Sequence, residues 1–355
     1  MTNFLDYLPI FVSCSISFSS DWHFYNSGTS WSEEIMRDPL KRVEMKKRQI
    51  DTMKSKYPDI FEGYSAKNVD PALGFGVATV PSFFGAKIRF SDTMDPIALP
   101  IYEQKLNGDP FNLKVPDLDT EMRFLFEEID ILQEAGYKKA QIGMPDMQGP
   151  LNIAMRLIGD KKMISFIARP NKEKEVRHIL NITKETYILS IKKLRKELGK
   201  PENGQISVSG CTHYYISPKN WINYINPIVH DLEAHFGDLR LHHCGEANHE
   251  RIDAYSQVRF REVEFGFGTD IKYVREKFVH PKLGPIHISC RISPFRMLNQ
   301  TAEAIKKDAE YLLSAGKGGP MSISVVGVPY NTPDENIYAL WNTVQHFNEE
   351  KANEE

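Results

Sequence analysis

The sequence predicts an α/β chain built as a (β/α)8 TIM barrel with a helical and loop extension at its N-terminus, and three observations lead there. From about residue 119, short β-branched or apolar runs alternate with helical patterns, the order that lays down a parallel sheet. Strand starts in the second half lie roughly 23 to 36 residues apart, enough for a helix to cross back between neighbouring strands. No Gly-x-Gly-x-x-Gly phosphate loop occurs, which favours a barrel over a dinucleotide-binding sheet. At 355 residues, the chain suits one barrel of roughly 250 residues with additions.

Residues 1–70 form the expected extension. Trp22, Phe24, Tyr25 and Trp31 precede Asp38-Pro39-Leu40, after which Val43, Ile50 and Met53 punctuate a Lys-rich run. That run reads as an amphipathic helix ending before Pro58. The barrel is expected over 71–346. Between Gly74 and Pro100, GVATV and AKIRF read as short β pieces, the first strands or a lid. Candidate strands follow at Ala140–Gly143, Ile206–Ser209, Leu239–His243, Glu262–Gly266, Pro285–Ser289 and Met321–Val326. Residues 172–199 read as a long helix or helix pair closed by Gly199 and Pro201. Ser217-Pro218, Ser293-Pro294 and Thr332-Pro333 each set a hydroxyl cap before a proline whose fixed φ suits the first helical turn. Glu335, three residues after Thr332, makes the last a capping box. Gly266-Phe267-Gly268 reads as a strand end that opens a helix capped near Thr269 and Asp270. Residues 347–355 are expected to fray.

Composition narrows the function classes. Hydrophobic residues at 41% and charged residues at 26% fit a globular chain with a sizeable core. Forty-four basic against 47 acidic side chains leave a net charge of −3, which offers no drive toward nucleic acid or anionic lipid. Small molecules or proteins are the expected partners. The apolar run Leu8–Phe18 is broken by Ser13, Ser15 and Ser17, and no Lys or Arg precedes Arg37. Neither a signal peptide nor a membrane span is expected from it. Four widely separated cysteines are too few to staple the chain, so a reducing cytoplasm is the expected setting.

Chemistry concentrates late in the chain. Eight of the eleven histidines fall between residues 213 and 287. At the centre stands LHHCGE, 241–246, in which His242 and Cys244 are two apart on a strand and share one face with Arg240. Imidazole nitrogen and thiolate at this spacing suit a borderline cation such as Zn²⁺. The alternative is an interior where polar groups bond one another and cysteine packs as a small hydrophobe. The same parity sets Glu262 and Glu264 opposite Val263 and Phe265, and His287 opposite Ile286 and Ile288. Glu264 and His287 are therefore supplementary ligand candidates, while the two glutamates also read as an acid–base pair or a solvated strand edge. Cys290 turns away on a regular strand, and Cys211 reaches the mouth after a kink at Gly210. Asp146 and Gln148, in MPDMQGP, sit where a strand turns into a helix near Leu151, and either bind substrate at the rim or cap the helix. Trp22, His23 and Tyr25 either wall a flat ligand or pack a core.

Six segments, taken together, carry a family likeness: DMQGPLNIA at 146–154, YYISPKNW at 214–221, LHHCGE at 241–246, FGFGTDI at 265–271, ISCRISPFRML at 288–298 and VPYNTPDENIYAL at 328–340. In this order they resemble the uroporphyrinogen decarboxylase superfamily of (β/α)8 barrels. The chain lacks the arginine-bearing N-terminal segment of the porphyrin decarboxylases. His242 and Cys244 instead look like the zinc motif of the corrinoid-linked methyltransferases of that superfamily. The thiol-methylating branch, which uses coenzyme M, has a further Cys ligand before its Thr-Pro-x-Glu-Asn motif, and Val326 stands there in this chain. Some substrate-side methyltransferases use two Glu and one His, an order that Glu246, Glu264 and His287 follow.

The resemblance implies an enzyme that moves a methyl group from a methylated small molecule, a methoxylated aromatic first, to the cob(I)alamin of a partner corrinoid protein. This is O-demethylation in the cytoplasm, with a homodimer as a further expectation. Zinc or a proton donor activates the leaving group. Asp146, His213 and Glu246 are the catalytic candidates. Trp22, His23, Tyr25, Gln148 and Cys211 are the substrate-binding ones, and His242, Cys244, Glu264 and His287 the metal ligands. The alternatives are a methylcobamide:thiol methyltransferase and a metal-free barrel that acts in binding.

Overall fold

The structure is a computed structural model and describes residues 11–282 and 284–353. The strands longer than two residues among the described residues are β1 (Ser13–Phe18), β2 (Ile206–Ser209), β3 (Leu239–His243), β4 (Glu262–Phe265), β5 (His287–Arg291) and β6 (Met321–Val328). Alternation of small, β-branched and polar residues produces them, and β2 and β3 match the expected strands residue for residue. The chain divides into two compact units, Met1–Ser19 with Arg240–Glu355, and Ser20–Leu239. No break falls at residue 70. Of the apolar run Leu8–Phe18, residues 8–10 lie outside the described residues.

In the first unit β1, β6, β5, β4 and β3 lie side by side in that order, every pair parallel. Helices stand between successive strands: His249–Tyr255 after β3, Ile271–Lys277 after β4, and Pro294–Asn299 with Ala302–Ala315 after β5. Their caps come from the local sequence. Asn248 accepts from the amide of Arg251, Asp270 from Tyr273 and Thr301 from Ala304, each satisfying an orphan donor of the first turn. At Thr332 the hydroxyl instead donates to the Pro329 carbonyl at 2.9 Å. The expected capping box is not made, and the last helix begins at Asp334. It runs to Asn353, so the segment expected to fray is helical through 353, with 354–355 outside the described residues.

The register sorts the sheet into two faces. Leu241, Val263, Ile288 and Met321 align across four strands, and so do His243, Phe265, Cys290 and Ile323. All eight are buried, and this face holds the unit's core. The other face carries Arg240, His242, Glu262, Glu264, His287, Ser289 and Arg291, and with them the candidate chemistry.

The second unit is mainly helical. Asp38 caps the helix Pro39–Lys56 through the amides of Leu40 and Lys41, and Arg42 on that helix pairs with Glu128 at 2.7 Å. This contact explains why the helix belongs with residues beyond 70. The long helix Glu173–Glu197 buries Val176, Ile179, Leu180, Thr183, Tyr187, Ile191 and Leu194, a stripe at helical spacing, and Tyr187 donates to the Ser207 carbonyl in β2 at 2.9 Å. GVATV is not a β piece. Thr79 Oγ1 donates to the Gly76 carbonyl and accepts from the Phe75 amide, both at 2.8 Å, and this local bonding winds a turn of 3₁₀ helix into the helix Thr79–Phe83. Of Ala140–Gly143, Lys139–Gln141 is a 3₁₀ turn and only Gly143 bridges to Ala72. AKIRF yields Ile88–Arg89, antiparallel to Ile97–Ala98. No helix among the described residues is long and apolar enough to cross a membrane.

Candidate metal centre

The polar face of the first unit is built in layers, because register places equivalent positions of neighbouring parallel strands at one height. Arg240, Glu262 and His287 form the layer nearest the strand starts. His242, Glu264, Ser289, Ser322 and Ser13 form the next. Arg291, Ser324 and Ser15 lie one layer further on, and Cys244 follows the end of β3 beside them.

His242 is held from both sides. Its Nδ1 lies 2.8 Å from Glu264 Oε2, and its Nε2 lies 2.8 Å from Cys244 Sγ. With Nδ1–H donating to the carboxylate, Nε2 keeps a lone pair directed toward the sulfur. A carboxylate behind the ligating imidazole fixes both tautomer and ring orientation at metal sites. Glu264 also accepts from Arg240 Nη2 at 3.0 Å and pairs with Arg291 Nε. Burial pushes its carboxyl up, but the hydrogen bond from His242 and the charges of Arg291 and Arg240 hold it well below the ordinary carboxylate range.

The donor set fits a thiophilic, borderline cation. One imidazole nitrogen and one sulfur converge, and the sulfur is 3.8 Å from Arg291 Nη1. Ligands of tetrahedral zinc at ordinary bond lengths stand ~3.5 Å apart, so nitrogen and sulfur would part by roughly 0.7 Å to admit the ion.

The neighbouring histidine does something else. His243 points to the apolar face, where Tyr255 Oη lies 3.0 Å from Nδ1 and the Glu246 carbonyl 3.3 Å from Nε2. The arrangement is satisfied by Nε2–H donating to the carbonyl and Tyr255 donating to Nδ1. Burial is the main reason its pKa falls to about 4, so the ring stays neutral and anchors the strand end.

Close backbone approach sets the height of Cys244. A Cβ on Gly266 would lie 2.2 Å from the Cys244 carbonyl oxygen and 2.6 Å from Gly245 C, so only glycine lets β4 run on beside it. Gly266→Ala should displace Cys244, with zinc content per folded chain falling well below the wild-type value by elemental analysis. Unchanged zinc would show that the ligand pair tolerates the shift.

Register places two ligand candidates apart from the His242–Cys244 pair. His287 stands one layer, about 7 Å, from the His242–Glu264 layer, where its Nδ1 is 3.5 Å from Glu262 Oε1. Glu264 lies behind the His242 ring, on the side away from Cys244. Glu262 is shared between His287 and Arg240 Nε, the latter at 3.1 Å. Glu246 is exposed on the loop after β3. Arg291 was missed because the expected strand stopped at Ser289. Parity carried two residues further would have placed it on the polar face.

The second unit holds the other candidates. Gln148, with a left-handed φ of 57°, donates from Nε2 to Asp146 Oδ2 at 2.9 Å and accepts from Asn152 Nδ2 at 2.8 Å. Asn152 Oδ1 in turn accepts from Thr212 Oγ1 at 2.5 Å. This chain ties the 146–150 turn to the loop bearing the half-buried Cys211. His213 is buried, edge-on to Trp221 at 4.5 Å, and fits because residue 210 lacks a Cβ, which would meet its Nδ1 at 1.9 Å. Trp22, His23 and Tyr25 do not make one wall. Trp22 and His23 are buried on the inward stripe of the helix Ser20–Ser27, whereas Tyr25 lies across the helix and is 58% exposed.

Among solved structures, one described as a methyltransferase from Methanosarcina mazei is similar in fold, with a TM-score of 0.63 at 17% identity over 96% of this chain and 95% of that one. No curated protein matches. The family described as uroporphyrinogen decarboxylase (URO-D) matches residues 64–347, in line with the parallel sheet, the crossing helices and the six sequence segments. The chain therefore belongs to the uroporphyrinogen decarboxylase (URO-D) family.

Proposed function

We propose that this chain is a corrinoid-dependent methyltransferase on a closed (β/α)8 barrel. It takes a methyl group from a methylated small molecule, a methoxylated aromatic first, and gives it to cob(I)alamin on a partner corrinoid protein. The observation that supports the reading is the convergence of His242 Nε2 and Cys244 Sγ, with Nδ1 held by Glu264. The similar solved structure is described as a methyltransferase, which agrees with the class.

His242 and Cys244 are proposed as two ligands of the ion, with Glu264 behind the imidazole. Zinc, when bound, supplies a Lewis acid for the departing heteroatom. The rest is the work of side chains. Glu264 keeps the His242 lone pair forward, and Arg240 and Arg291 neutralise that carboxylate. Orientation matters because displacement needs the nucleophile, methyl carbon and leaving atom in line.

A thiol acceptor is the second reading, favoured by the sulfur ligand Cys244, since soft sulfur ligands suit a centre that binds thiolates. Purified zinc-loaded protein should form methylcobalamin from cob(I)alamin and at least one of a panel of methoxyaromatics. Methyl transfer from methylcobalamin to thiols, with none of the ethers reacting, selects the second reading. Activity in neither direction overturns both.

A further inference from the structure

We propose that Arg291 is a positioning residue of the metal centre, clamping Cys244 and Glu264 with one guanidinium and drawing electron density from the sulfur. The inference rests on the metal reading above and concerns a residue outside the ligand set.

Arg291 closes β5 on the polar face, in register with Ser324. Its side chain is 17% exposed, and its Nε pairs with Glu264 Oε1. The opposite oxygen, Oε2, takes His242 Nδ1 at 2.8 Å and Arg240 Nη2 at 3.0 Å. Both carboxylate oxygens are thus engaged, which fixes the plane of Glu264 and, through it, the His242 ring. The other arm of the guanidinium, Nη1, stands 3.8 Å from Cys244 Sγ. One rigid planar group therefore touches the sulfur ligand directly and reaches the nitrogen ligand through a single carboxylate. A flexible ammonium has no such fork.

Direction of charge gives the second half of the role. Arg291 is a permanent cation, and an N–H aimed at a thiolate from a cation strengthens as the medium becomes less polar. Density drawn toward the guanidinium is withheld from the metal, which stays more electrophilic. The polar face balances it, with Arg240 and Arg291 against Glu262 and Glu264, so the clamp adds no net charge among these four groups.

The test loads wild type, Arg291→Met and Arg291→Lys with cobalt(II), which reports its sulfur ligands by a thiolate-to-metal charge-transfer absorption, and measures zinc affinity by chelator competition. In Arg291→Met the band should move to lower energy, as a more electron-rich sulfur gives up charge more readily. Zinc affinity should fall about 10- to 100-fold, the range for loss of an outer-sphere partner. Arg291→Lys should return the band toward the wild-type position while affinity stays low. If the Met variant does not fold by circular dichroism, the Lys variant decides through affinity alone. Wild-type band and affinity in whichever variant folds overturn the role of Arg291 and leave the metal reading standing. Wild-type protein that takes up neither ion overturns both.

Discussion

Bound zinc is expected to fall from about one ion per chain to a small fraction of that in Cys244→Ser, with methyl-transfer activity down at least ~100-fold. The argument is one of donor chemistry at fixed geometry. Serine presents a shorter bond and a hydroxyl that keeps its proton near neutral pH, in place of a polarisable sulfur that binds as thiolate. The Glu264 network survives the change, because its contacts to His242, Arg240 and Arg291 do not involve the sulfur. Stability should therefore stay near the wild type while metal is lost, which separates a ligand from a packing residue. Cys290→Ser is the matched control. Cys290 is buried on the opposite face, where burial lifts its thiol to about 12, so that variant should lose stability and keep its zinc. Elemental analysis with urea unfolding on both proteins distinguishes the two patterns, and equal zinc in both would sink the assignment.

What sequence could show here was orientation, and what it could not show was height. Alternation along a strand says which side chains share a face, so His242, Cys244, Glu264 and His287 all emerged together. Only the pairing register, a property of two strands at once, separates them into layers. It puts Glu264 behind the imidazole and His287 a full layer away. A strand set two residues early concealed Arg291. Local hydroxyl bonding at Thr79 overrode a run that looked like β structure. Trp22 and His23 show a different limit, since an aromatic residue beside a site and one beneath a core have the same composition. The family segments were legible because they join strand ends to helix starts, where turn chemistry is specific.

Contacts distant in sequence were beyond reach, and one of them should dominate stability in the second unit. Arg42 and Glu128, 86 positions apart, form an ion pair at 2.7 Å with side chains 8% and 6% exposed. Arg42 Nη1 also donates to the Met36 carbonyl at 2.5 Å, and Glu128 Oε2 accepts the Gly74 amide at 2.8 Å. Burial raises the Glu128 carboxyl above its ordinary range despite the opposing pull of Arg42, so desolvation outweighs the attraction, as is common for buried pairs. The pair is thus costly to halve. Glu128→Ala leaves a guanidinium buried without its counter-charge and the Gly74 amide without an acceptor, and should destabilise by about 3–5 kcal/mol. Arg42→Met strands the carboxylate and should cost a similar amount. The double variant removes both charges and should fall short of the sum of the single losses by 1 kcal/mol or more, roughly the coupling found for residues in one network. Urea midpoints for the four proteins give the cycle. Strict additivity would show that the two charges do not depend on each other, and the helix Pro39–Lys56 would then owe its place to apolar packing alone.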